Sequence, residues 1–107
     1  MNSEINNIYN VCKHIAENKH DSEVNVLLAE ELSELIKAVM KLERFYMYDE
    51  SLRCDYKDII NNIYEELADV IIMMFQFINK NEIKYNELTN KISEKLIRYY
   101  ETKSDEK

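Results

Sequence analysis

The sequence predicts an all-α fold, a four-helix-bundle-like protomer that assembles into a helical oligomer, and three observations predict it. Its 107 residues contain neither glycine nor proline, the two residues that the turns of hairpins and barrels need. Apolar residues recur at three- and four-residue spacing in four segments. The third segment is apolar on nearly every side, and a helix of that kind must be buried on every side. The length predicts a single domain, residues 1–107, of a size that buries roughly two-thirds of its unfolded surface and folds without staples.

The first helix starts near Ser3, a candidate N-cap, with Ile5, Ile8, Val11 or Cys12, and Ile15 on one side. It fades in the polar run Glu17-Asn18-Lys19-His20. Asp21 or Ser22 can cap the second helix, whose row Val24, Leu28, Leu32, Leu35, Val39, Leu42 carries it to Phe45 or Tyr46. Met47 to Cys54 loses the period and predicts a loop. Asp55 can then cap the third helix, from Tyr56 to Asn79, which ends at Asn79-Lys80-Asn81. The fourth runs from Tyr85 to Glu101 with Ile92, Leu96 and Tyr99 or Tyr100 inward, and Thr102 to Lys107 reads as a frayed tail.

Composition narrows the chemistry. Without glycine there is no phosphate-cradling loop and no dinucleotide fingerprint, so a nucleotide would have to be held by side chains and metal. A net charge of −7 argues against nucleic acid and against an anionic membrane as partners. Two cysteines, Cys12 and Cys54, with no CxxC and no leading apolar segment, predict free thiols and a cytoplasmic protein. The most apolar stretch, Val70 to Ile78, is far short of a membrane span.

The two central helices resemble each other. One holds Glu30-Glu31-Leu32-Ser33-Glu34-Leu35 and the other Glu65-Glu66-Leu67-Ala68-Asp69-Val70. Residues three apart on a helix share a face, so Glu31 with Glu34, and Glu66 with Asp69, each form half of a cage. Glu31 falls in the row Val24, Leu28, Leu35, Ala38, Leu42, and Glu66 in Ile59, Ile63, Val70, Met73, Phe77; both rows are otherwise apolar. A carboxylate on a core-facing row must be neutralised, paired or metal-bound. Four that converge suit a hard divalent cation, Mg²⁺ or Mn²⁺, far better than zinc. The plainer alternative is ordinary acids on the solvated faces of an acidic protein. Glu30 and Glu65, turned about 100° from their neighbours, read as groups outside the ligand set.

Glu31-Leu32-Ser33-Glu34 and Glu66-Leu67-Ala68-Asp69, with their surroundings LAEELSELIKAV and YEELADVIIMM, resemble the signature of the MazG-like all-α nucleoside triphosphate pyrophosphohydrolases. That family often shows Lys-apolar-x-Arg-Arg on the next helix. Here the run is Lys95-Leu96-Ile97-Arg98-Tyr99, so Tyr99 stands where the second arginine would be. The resemblance covers Val24 to Tyr100, with a longer gap between Glu34 and Glu66 than many members have. It implies Mg²⁺-dependent hydrolysis of a nucleoside triphosphate between its α- and β-phosphates, giving a monophosphate and pyrophosphate. By that resemblance Glu31, Glu34, Glu66 and Asp69 hold metal, Glu34 orients or deprotonates the attacking water, and Lys95 and Arg98 meet the β- and γ-phosphates. It also implies dimers or pairs of dimers.

Lys95 and Arg98 could form a basic face paired with Glu94 or Glu101. The single Glu-x-x-His, ending in His20, lies at a polar helix end and lacks the second copy that a di-iron bundle needs, so His14 and His20 read as solvated. Tyr46 or Tyr48 could stack on a base. A non-catalytic helical oligomer serving as a binding or adaptor protein is the competing function, kept alive by Tyr99; a nucleic-acid mimic rests on charge alone. Helix one folding over the third helix is the alternative to a second subunit as its cover.

Overall fold

A computed structural model describes residues 2–48 and 55–105. Four helices follow in order, α1 (Ser3–Ala16), α2 (Asp21–Tyr48), α3 (Tyr56–Lys80) and α4 (Tyr85–Asp105), and there is no strand among the described residues. The fold is all-α, as the composition and periodicity require.

The helix ends follow local hydrogen-bond chemistry. Asn2, not Ser3, caps α1: its Oδ1 accepts from the Ile5 N–H at 2.9 Å, which puts Ser3 inside the helix. Asp55 caps α3 as expected, accepting from the Lys57 N–H at 2.9 Å. Helix α2 runs through Met47 and Tyr48, two residues beyond the expected start of the loop; the rest of the anticipated loop, residues 49–54, lies outside the described residues. The tail expected to fray is helical through Asp105, and the Thr102 hydroxyl donates to the Arg98 carbonyl at 2.9 Å.

The end of α3 shows how a chain without glycine makes a tight turn. The Ile83 N–H donates to the Ile78 carbonyl at 3.0 Å and the Glu82 N–H to the Asn79 carbonyl at 3.4 Å, the paired bonds of a Schellman cap. Its pivot is Glu82 at φ 55°, where a Cβ is unfavourable and glycine is preferred. Glu82→Gly should therefore stabilise the protein by about 0.5–1 kcal/mol, measured as a higher denaturation midpoint with unchanged helicity.

Helices α2 and α3 pack along each other, and α1 packs on α3. The pair α2–α3 is antiparallel, since Glu31 meets Glu66 and Asp69 while Tyr46 meets Tyr56. The two expected rows form the seam: Val24, Ala38, Ile59, Val70 and Met73 are buried, and Leu28, Leu35, Leu42, Ile63 and Phe77 half-buried. Burying such side chains contributes about 1.5–3 kcal/mol each where burial is complete, so the seam holds the hairpin together.

Helix α1 covers part of the apolar circumference of α3. Tyr9 meets Phe75 edge-on with ring centroids 5.5 Å apart, and Cys12 and Ala16 are buried. Two lysines close the junction: Lys80 donates from Nζ to the Ala16 carbonyl at 3.1 Å, and Lys19 Nζ to Gln76 Oε1 at 2.9 Å. Gln76, the polar interruption in the apolar run, is thereby buried with its amide oxygen satisfied.

Helix α4 departs from the expected arrangement. It packs extensively against none of the other helices, and Ile92, Leu96, Tyr99 and Tyr100, expected on an inner face, are exposed. Periodicity marks a stripe that favours burial but carries no information about its partner, and within one chain this stripe stays open.

Candidate active site

Glu31 and Glu66 sit where their rows place them, half-buried in the α2–α3 seam. Asp69, one turn further along α3, is exposed and turned toward the same point. One carboxylate oxygen from each of Glu31, Glu66 and Asp69 lies within 4.8 Å of the others. Among the described residues no lysine, arginine or histidine forms a salt bridge with any of the three.

The cluster's electrostatics follow from that crowding. The Glu31 carboxyl is held above the ordinary glutamate range by its removal from water and then by the negative charges of Asp69, Glu66, Glu34 and Glu30. A raised folded-state pKa favours folding most at pH values below the unfolded one, and that contribution is lost as pH rises through the raised value. Without divalent cation, Glu31→Gln should therefore melt above the wild type at neutral pH, the gap closing as pH falls below the usual glutamate range. A scan of Tm against pH for both proteins checks it.

Glu34 is placed differently from the other three. It is exposed, with Oε1 3.2 Å from Lys37 Nζ, and it adds to the field at Glu31 without joining the tight group. The Glu34–Lys37 pair is a contact that attention to the carboxylates alone passed over; its signal was the three-residue spacing of opposite charges. Glu30 and Glu65 are exposed, and Glu30 acts on the site only through its charge.

Lys95 and Arg98 are both exposed on α4, which lies along neither α2 nor α3. They do not form the ion pairs with Glu94 or Glu101 considered above: Glu94 Oε2 is instead 3.2 Å from Lys91 Nζ. Tyr46 packs with Phe45 and Tyr56 and donates to the Tyr56 hydroxyl at 3.3 Å. It is fifteen residues from Glu31 along one helix, about 22 Å, too far to stack on a base whose phosphates rest on the carboxylates. His14 is exposed with Nδ1 3.8 Å from Glu17, and His20 is exposed; neither meets the cluster.

A helical hairpin that gathers three carboxylates at its seam, with no cationic side chain among the described residues paired to them, defines an all-α protein with an acidic site of the kind that accepts a hard cation. Residues 18–102 match the MazG nucleotide pyrophosphohydrolase domain, and the chain belongs to that family. Membership implies a hydrolase of nucleotides. Neither a curated protein nor a solved structure gives a significant match. No helix among the described residues is long and apolar enough to cross a membrane.

The three carboxylates could hold a hard divalent ion: each offers a carboxylate oxygen, and hard cations take such oxygens. If Glu31, Glu66 and Asp69 hold Mg²⁺, the ion should raise Tm in proportion to its occupancy, since whatever binds only the folded state stabilises it. Thermal melts over a Mg²⁺ series, set against an equal ionic strength of Na⁺, separate binding from screening.

Proposed function

We propose that the protein is a Mg²⁺-dependent nucleoside triphosphate pyrophosphohydrolase, with Mn²⁺ as a possible substitute ion. Water attacks the α-phosphorus, the bridging bond between the α- and β-phosphates breaks, and a nucleoside monophosphate and pyrophosphate leave. The observation that carries this reading is the convergence of Glu31, Glu66 and Asp69 within 4.8 Å at an otherwise apolar seam.

In this reading Glu31, Glu66 and Asp69 hold the cation and Glu34 completes the ligand set. Bound there, Mg²⁺ screens the charge that develops on the phosphate oxygens and acidifies a water. The residues supply the rest. Glu34, exposed at the rim and one turn from Glu31, accepts the proton of the attacking water at a carboxylate oxygen, as a general base within reach of solvent. The half-buried positions of Glu31 and Glu66 fix their rotamers against the seam, so that the ligand oxygens are held in place before substrate arrives. Lys95 and Arg98 are assigned to the β- and γ-phosphates, for which charge-assisted hydrogen bonds from an ammonium and a guanidinium are suited.

A pyrophosphate-release screen over the eight common ribo- and deoxynucleoside triphosphates, with Mg²⁺ and with Mn²⁺, tests the reading. Release from at least one of them, abolished by chelation, is the expected result. No release from any, with Mg²⁺ shown to bind, would leave instead a family member that keeps the bundle as a binding or adaptor protein.

A further inference from the structure

We propose that Lys37 and Lys41 of α2 contact the phosphates that leave as pyrophosphate, and that Lys37 reaches them by giving up Glu34. The inference rests on the pyrophosphohydrolase reading for the nature of the ligand, and adds to it the phosphate contacts that the carboxylate hairpin itself supplies.

The placement follows from helix geometry. Glu34 is turned about 60° from Glu31, and Asp69 about 60° from Glu66 in the same rotational sense. In an antiparallel pair, equal rotations carry both residues to one side of the seam, so the acidic site opens on that side. Lys37, Lys41 and Arg44 continue along α2 at about 120°, 80° and 140° in the same sense, and all three are exposed. They follow Glu31 by about 9, 15 and 20 Å along the helix axis. A long helical side chain leans back over the preceding turn, and Lys37 does so: its Nζ lies 3.2 Å from Glu34 Oε1. Lys41 stands one turn further out on the same side.

The charge pattern calls for an anion. Like charges three and four residues apart destabilise a helix, and Lys37, Lys41 and Arg44 stand at that spacing. The chain has 21 acidic residues against 14 basic, yet neither Lys41 nor Arg44 has an acidic partner among the described residues. A basic strip that begins one turn beyond a carboxylate cluster matches a cation-bound polyphosphate: the metal end takes the carboxylates, and the remaining negative charge takes the lysines. Glu31 and the two lysines share one helix, so their spacing is set before substrate arrives. Helix α4, which carries Lys95 and Arg98, packs extensively against neither hairpin helix.

Lys37 also bears on Glu34. That carboxylate, assigned above to the ligand set and to the attacking water, is paired with Lys37 and stands apart from the tight group of Glu31, Glu66 and Asp69. An exposed ion pair of this kind is weak, and a phosphate offers the ammonium a more highly charged partner. Arrival of the triphosphate therefore exchanges the partners: Lys37 turns to the phosphate, and Glu34 is released to the cation and the water. The resting pair keeps the fourth carboxylate aside until a substrate is present.

Titration calorimetry of the full chain with a triphosphate whose α–β bridge is a methylene group, at saturating Mg²⁺, tests the contacts without turnover. Lys37→Met and Lys41→Met, which keep an apolar stem and remove the charge, should each weaken binding by about tenfold, the loss of one charge-assisted hydrogen bond, with helical circular dichroism retained. Lys37→Arg should restore most of the loss. Lys57→Met, nine residues before Glu66 and so about 180° from it on α3, should bind as the wild type does. The exchange has its own readout, thermal melts in Mg²⁺ alone. With no lysine competing for Glu34, Lys37→Met should respond at a lower Mg²⁺ concentration than the wild type; a response no earlier than the wild type's would overturn the exchange. Unchanged analogue binding in both methionine variants would overturn the contacts even if the wild type releases pyrophosphate. Analogue binding that depends on both lysines in a protein that releases none would keep the contacts and sink the hydrolase reading.

Discussion

Glu66→Gln should abolish pyrophosphate release while leaving the helical circular dichroism in place. The substitution keeps the side chain's shape and its half-buried position in the seam but removes one of three charges that lie within 4.8 Å of each other. Lewis-acid stabilisation of the transition state amounts to several kcal/mol, and each 1.36 kcal/mol is tenfold in rate, so a loss of about 100-fold or more in kcat is expected. Stability should move the other way. With one repelling carboxylate gone, the cation-free variant should melt at or above the wild-type temperature and lose the rise in Tm that Mg²⁺ gives the wild type. A merely structural Glu66 would show the opposite pattern, lower stability with hydrolysis proportional to the folded fraction. Full activity in the variant would refute the assignment of the site.

That site was legible in the sequence because two independent constraints met at the same residues. The rows through Glu31 and Glu66 are apolar at every other position, and an acid inside such a row is either costly or functional. Periodicity thus located the seam and the two half-buried glutamates within it. It was less informative about their neighbours. Glu34 and Asp69 occupy equivalent positions three residues on, yet Asp69 joins the tight group and Glu34 turns to Lys37, a choice between local partners that helical spacing leaves open.

The helix ends show a similar division. Asp55 was readable as a cap; Asn2 was not, because Asn2 and Ser3 are both good caps and only the hydrogen bond to Ile5 distinguishes them. Gln76 read as an interruption in an apolar helix because its partner, Lys19, comes from a turn 57 residues away. Helix α4 is the largest gap. Its stripe is plain, but a stripe specifies only that one face prefers burial, and whether its own chain or another supplies the cover depends on tertiary placement.

Lys95→Ala should lower kcat/KM by about tenfold with little change in fold. Loss of one charge-assisted hydrogen bond costs about 1.5–3 kcal/mol, and about 1.4 kcal/mol corresponds to a factor of ten. Lys95 is exposed and without an acidic partner among the described residues, so the substitution breaks no ion pair, and alanine is the better helix former. Any kinetic loss is therefore attributable to substrate contact rather than to destabilisation. The response to Mg²⁺ sharpens the test. Helix α4 packs extensively against neither carboxylate helix and Lys95 offers no carboxylate oxygen, so the rise in Tm with Mg²⁺ alone should be unaffected. A loss in kcat/KM with an intact Mg²⁺ response would assign Lys95 to the phosphates. Unchanged kinetics would instead leave Lys95 on a solvated face, where the single chain holds it, and the phosphate grip would have to come from the hairpin.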